Sequence, residues 1–134
     1  MIRAYLSHPI RGILGDDATN ESMNINNDQA KVTGNLIRAG IPDLQVYIPA
    51  EHDDFLLKNG VTPVNMVEEL LALDCAIAHD CDLILIYDHQ FKLGHGMQRE
   101  YDYALANNIP MVVFNSFNSD VLLDIERAIN KVTN

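Results

Sequence analysis

Short apolar runs alternate along the chain with longer stretches in which apolar residues recur at helical spacing. Runs at 2–6, 44–48, 83–87 and 111–114 have the length and Val/Ile/Leu content of strands. The run at 83–87, Leu-Ile-Leu-Ile-Tyr, has no polar alternation, as in a strand buried on both faces of a parallel sheet. Between these runs lie the helical patterns. Thr19 or Asn20 is placed to cap a helix that carries Ile25, Val32, Leu36 and Ile37 on its inner face and stops at Gly40. Further helices are expected over 64–79, where Val67, Leu70, Leu71, Asp74 and Ala78 share a face, over 97–107 and over 120–131.

Strand and helix in alternation, joined by short loops, define a three-layer, doubly wound α/β fold of the flavodoxin or Rossmann type. Its sheet is parallel, of four to five strands, with helices on both faces. The 134 residues are read as a single domain, since no repeat, low-complexity tract or linker divides them. A chain of this size buries roughly two-thirds of its unfolded surface without needing disulfides or a structural metal.

Nineteen acidic side chains against nine basic ones leave a formal charge of -10, which disfavours a nucleic acid polymer as partner. A small anion held by backbone N–H groups and one Arg is still compatible with that charge. No apolar run is long enough for a secretory signal or a membrane span, so the expected location is the cytoplasm, away from membranes. Cys75 and Cys81 have neither CxxC spacing nor a second pair, and are read as reduced structural thiols. The five histidines show no ligand spacing, so no metal is expected, and no cofactor.

Open parallel sheets bind ligands beyond the carboxyl ends of their strands, where strand order reverses. Three loops at that end carry the unusual residues: Ser7, His8 and Arg11 after the first strand, Glu51 and His52 after the second, and Asp88, His89 and Gly94-His95-Gly96 after the third. Glu100 falls one turn inside the helix that opens after Gly96, where the helix dipole is expected to keep it ionised, as suits a nucleophile. It would also serve as an ordinary helix-stabilising acid. Asp74 interrupts an apolar stripe. It is either paired with an arginine such as Arg3 or Arg99, or desolvated toward the protonated form that a general acid needs. Tyr5 is a central-strand tyrosine whose hydroxyl needs a partner.

Taken together, Tyr5-Leu6-Ser7-His8-Pro9-Ile10-Arg11-Gly12, Asp74 with Asp82 eight residues later, and Gly96-Met97-Gln98-Arg99-Glu100 followed by Tyr103-Ala104 resemble the nucleoside 2-deoxyribosyltransferase family. They are equally similar to its relatives, the 2'-deoxynucleoside 5'-phosphate N-hydrolases. The resemblance covers most of the chain and implies cleavage of the N-glycosidic bond of a (deoxy)nucleoside or its 5'-monophosphate. On that resemblance Glu100 attacks the anomeric carbon to form a glycosyl-enzyme, Asp74 protonates the departing base and Tyr5 positions the nucleophile. A second base or water then resolves the intermediate.

Ser7, His8, Arg11, Gly12, His52, Gly94, His95, Gly96 and Met97 are the expected substrate-binding residues. Arg11, His95 and the backbone of the 94–96 turn are the candidates for a 5'-phosphate. The transferases place an acid six residues before the nucleophile, and the phosphate-binding relatives tend to have Ser there. This chain has Gly94. It also has Pro9 where the hydrolases have a phosphate-binding Ser. These departures keep a second reading in view, a non-catalytic nucleotide-binding or sensing module of the same fold. In related enzymes a neighbouring subunit completes the pocket from the region that here reads Asn115-Ser116-Phe117-Asn118, which implies a homo-oligomer, a dimer or an assembly of dimers.

Overall fold

The computed structural model describes residues 1–52, 73–90 and 93–133. Four strands, β1 (Arg3–Ser7), β2 (Gln45–Tyr47), β3 (Leu83–Tyr87) and β4 (Met111–Phe114), form one parallel sheet in the order β2-β1-β3-β4. The chain moves outward from β1 to β2 and then returns to the other side of β1. The reversal point, and with it the expected crevice, therefore lies at the carboxyl ends of β1 and β3.

Alternation along the strands divides the core in two. Ala4 and Leu6 of β1 and Leu83, Leu85 and Tyr87 of β3 pack against helix α1 (Asn20–Gly40) and the C-terminal helix. Tyr5, Ile84 and Ile86 face the other way, onto Ala78 of the helical stretch 73–79 (α2) and onto Met97 and Ala104 of α3 (His95–Ala106). The C-terminal helix α4 (Ser119–Thr133) contributes Val121, Ile125 and Ala128 to the first core. Helices on both faces make the three layers expected, and β3 is buried along its whole length as its unbroken apolar run requires. Full burial of each such side chain is worth about 1.5–3 kcal/mol.

The strand boundaries fall close to the apolar runs: β3 and β4 coincide with them, β1 is shifted by one residue and β2 is shorter at both ends. Thr19 does cap α1, in a reciprocal box with Ser22, and the helix ends at Gly40. Its inner face is different from the one expected. Ile25, Val32 and Leu36 are about half exposed or more, and of the expected set only Ile37 is buried. The helix instead turns Met23, Asn26, Asn27, Ala30, Thr33, Gly34 and Ile37 inward. Small residues win because α1 lies close to the sheet: a Cβ at Gly34 would collide with the side chain of Ile48. Most of the expected helix over 64–79, including Val67, Leu70 and Leu71, lies outside the described residues.

Asp82 anchors the far end of the sheet. Its Oδ2 accepts the N–H of Arg3 at 2.9 Å, and its own N–H donates to the Arg3 carbonyl at 2.8 Å, so it ties β1 to β3 at their amino ends. Cys75 and Cys81 are free thiols, both held above the ordinary thiol value by burial, Cys81 up to about 11. Among the described residues no helix is long and apolar enough to cross a membrane.

Candidate active site

Tyr5 and Ser7 are two apart on β1 and so project from the same face, toward α3. Register fixes both, Tyr5 opposite Ile84 and Ser7 opposite Ile86. Their hydroxyls meet one carboxyl group: Ser7 Oγ donates to Glu100 Oε1 at 2.8 Å, and Tyr5 hydrogen-bonds the same side chain. Glu100 reaches them because helical side chains lean back toward the N-terminus of their helix, here the turn that opens at Gly94.

Glu100 is 6% exposed. Burial pushes its pKa up to about 7, and the nearby charge of Asp74 adds to the rise. Hydrogen bonds from Tyr5 and Ser7 and the charge of Arg99 act in the opposite direction. The expectation that the helix dipole keeps this group fully ionised is therefore corrected. Glu100 lies beyond the first turn of α3, where the dipole acts, and its burial penalises the charged form directly.

A cavity of about 430 Å³ opens at the carboxyl ends of β1 and β3, a volume within the range of small-molecule sites. Tyr5, Asp74 and Glu100 line it together. Asp74 comes from α2 and is 3% exposed, so the two carboxyl groups reach one space from different helices. Gly94, Gly96 and Met97 form the wall at the start of α3. His8, Arg11 and Gly12 form the wall on the β1 side.

Sequence reasoning missed the lining residues Pro9, Ile10, Gly15, Asp16 and Pro49. Pro49 was detectable in principle, because it follows the carboxyl end of β2. Ile10 is one of the few buried apolar residues outside the two main cores, packed with Met23.

The β1 loop is held by specific bonds. His8 is buried, and its Nε2 accepts the Ala50 N–H at 3.2 Å. That assigns the ring proton to Nδ1, which donates to the Pro9 carbonyl at 3.0 Å. Burial lowers the pKa of this histidine to about 4, so it lines the cavity as a neutral ring. Asn26 Nδ2 donates to the Ile10 carbonyl at 2.8 Å, and Gln90 Oε1 accepts the Ile13 N–H at 3.0 Å. Gly12 takes φ 65°, and a Cβ there would strike the Gln90 amide. Arg11 brings a positive charge to the wall, with Nη1 at 3.4 Å from Asp16.

Three expected residues are placed differently. Ser7 is fully buried and touches Glu100, and it is not among the residues that line the cavity. His52 stacks on Tyr47 at 4.9 Å, and Tyr47 stacks on Tyr5 at 5.7 Å, so His52 meets the site only through a column of rings. Glu51 forms a bidentate ion pair with Arg38, both contacts at 2.7 Å, and Arg38 also donates to the Val46 carbonyl. Those bonds hold the Glu51 carboxyl below its usual value and make it a strut between α1 and the turn after β2. His95 opens α3, and its side chain lies outside the described structure. Asp82 sits at the opposite end of the sheet from the cavity.

In the 115–118 segment, Asn115 Nδ2 donates to the Asp88 carbonyl, and Asn118 Oδ1 accepts the Val121 N–H at the start of α4. Comparison of the chain with family models, with curated proteins and with solved structures gives no match. The chemical reading therefore stands on the cavity itself: two buried carboxyl groups, a tyrosine hydroxyl between strand and helix, one arginine and apolar walls.

Proposed function

We propose that the protein is an N-glycosidase of deoxynucleosides or their 5'-monophosphates, acting by transfer to another base or by hydrolysis. The observation that carries this reading is the convergence of Tyr5, Asp74 and Glu100 on one cavity of about 430 Å³ at the sheet's reversal point. In the proposed reaction an ionised Glu100 oxygen forms a bond to the anomeric carbon as the carbon–nitrogen bond breaks. The electron pair of that bond leaves with the base, which takes its proton from Asp74. An acceptor base or water, giving its proton to the Asp74 carboxylate, then attacks the same carbon from the vacated side and releases Glu100, so configuration is retained.

Support comes from the hydrogen-bonding groups that surround Glu100. Hydroxyl donors from Tyr5 and Ser7 surround Glu100 and favour its charged form, while burial and Asp74 oppose it. A value near 7 leaves a substantial fraction ionised at neutral pH. Apolar surface from Ile10, Pro49 and Met97 suits the planar base, and Arg11, paired with Asp16, brings a cation to the wall that suits a 5'-phosphate.

The test is incubation with each deoxynucleoside, each deoxynucleoside monophosphate and the matching ribonucleosides, with and without a free acceptor base, followed by chromatography. Release of free base or formation of a new nucleoside by wild type, abolished in Glu100→Ala, supports the reading. Binding of nucleotides with every substrate left intact favours the sensing module instead.

A further inference from the structure

We propose that Ser7 is a positioning residue for Glu100, holding the carboxyl group from beneath the cavity, and that it makes no contact with the substrate. This rests on Glu100 being the reacting group of the proposed N-glycosidase. Ser7 is 0% exposed and is not part of the cavity lining, which leaves its hydroxyl no route to a bound ligand. Its Oγ lies 2.8 Å from Glu100 Oε1. The backbone that carries it is the last residue of a central strand, locked in register against Ile86, so the hydroxyl cannot drift away from α3.

A serine donates one hydrogen, and an ionised carboxylate only accepts. The bond is therefore strengthened when Glu100 carries its charge, and Ser7 favours the form that attacks carbon. Tyr5 supplies a second hydroxyl from the same strand face, two residues away. Among the described residues, the other charged or titratable groups around Glu100 are Asp74 and Cys75 of α2 and Arg99 of α3. His8, Arg11 and Asp16 share the cavity wall from the β1 loop. Of these groups, Asp74 opposes ionisation of Glu100, and Arg99 supports it.

The experiment is a carbon-13 NMR titration of the Glu100 side-chain carboxyl in the full chain, comparing wild type, Ser7→Ala and Ser7→Cys. Losing the hydroxyl is expected to move the Glu100 midpoint upward by about 0.5–1 on the pH scale, with Cys giving a smaller rise in the same direction. An unchanged or lowered midpoint in both variants overturns the proposal. If Ser7→Ala does not fold, the near-isosteric Ser7→Cys decides alone.

A second readout is the pH profile of base release. Ser7→Ala should move the acid limb upward and lower kcat at neutral pH with KM little changed. A raised KM with the profile in place would instead make Ser7 a substrate contact and sink the positioning role. The NMR titration uses no substrate. A protein that releases no base but still shows the shifted midpoint therefore refutes the enzymatic reading and leaves the Ser7–Glu100 coupling intact.

Discussion

Replacing Glu100 by Gln should stabilise the protein at alkaline pH while removing the proposed base release. The carboxyl titrates near 7 in the folded chain against 4.5 as its ordinary value, so the folded state holds this proton more tightly than the unfolded state. Stability from that difference is fully present below about pH 4.5 and is lost as pH rises through 7. Each tenfold difference in proton affinity between the two states is worth about 1.4 kcal/mol, so the loss reaches at most about 3 kcal/mol by pH 8. Glutamine has nearly the same shape and its Oε1 still accepts the Ser7 hydrogen, but it carries no charge to desolvate. Urea unfolding of wild type and Glu100→Gln at pH 5 and pH 8 measures the effect. At pH 5 the two should differ by about 1 kcal/mol or less, the scale of one altered hydrogen bond. At pH 8 the variant should be the more stable by about 2–3 kcal/mol. A variant equally destabilised at both pH values would show that Glu100 carries no desolvation penalty, contrary to its buried setting.

Other consequences are equally direct. Asp74→Asn should slow base release by a factor on the order of 10²–10⁴ with little loss of folding stability, checked by steady-state rates beside thermal unfolding. His8 carries the opposite linkage to Glu100: its folded pKa of about 4 lies below 6.5, so wild type should lose stability as pH falls from 6.5 to 4. His8→Asn should flatten that decline in a pH series of thermal melts, and an unchanged slope would exclude His8 as its source. Gly12→Ala forces a side chain into φ 65° and against Gln90, and should cost roughly 1–2 kcal/mol of stability. Calorimetric titration with a nucleoside monophosphate should also show it binding more weakly, because Gly12 forms part of the cavity wall beside Arg11.

The sheet was legible because β3 and β4 are uninterrupted apolar runs, and a five-residue run such as Leu-Ile-Leu-Ile-Tyr has few places to go except the centre of a sheet. The face of α1 was not. Hydrophobicity points to Ile25, Val32 and Leu36, whereas close packing on the sheet selects Ala30 and Gly34, and the polar Asn26, Asn27 and Thr33 conceal the buried stripe. At the site, His8, Arg11, Gly94 and Gly96 reach the cavity as topology directs, whereas Ser7, Glu51, His52, Asp88 and His89 of the same three loops are not among the residues that line it. The state of Glu100 was missed for a physical reason: a place near a helix start is visible in sequence, while the burial that raises its pKa depends on the tertiary packing around the carboxyl. Likewise, nothing in the local sequence marks Glu51 as the partner of Arg38, thirteen residues earlier in the chain, since that pairing depends on how α1 lies beside β2.

The proposed covalent bond between Glu100 and the anomeric carbon is open to mass spectrometry. Protein incubated with a 2'-deoxy-2'-fluoro nucleoside, whose fluorine slows breakdown of a glycosyl ester, is digested and its peptides sequenced. A mass increase of one fluorosugar is expected on Glu100 in wild type, accompanied by free base, and none in Glu100→Gln. Base release with the adduct on a different residue, or an unmodified protein beside a nucleoside left intact in both its fluorinated and parent forms, would contradict the mechanism.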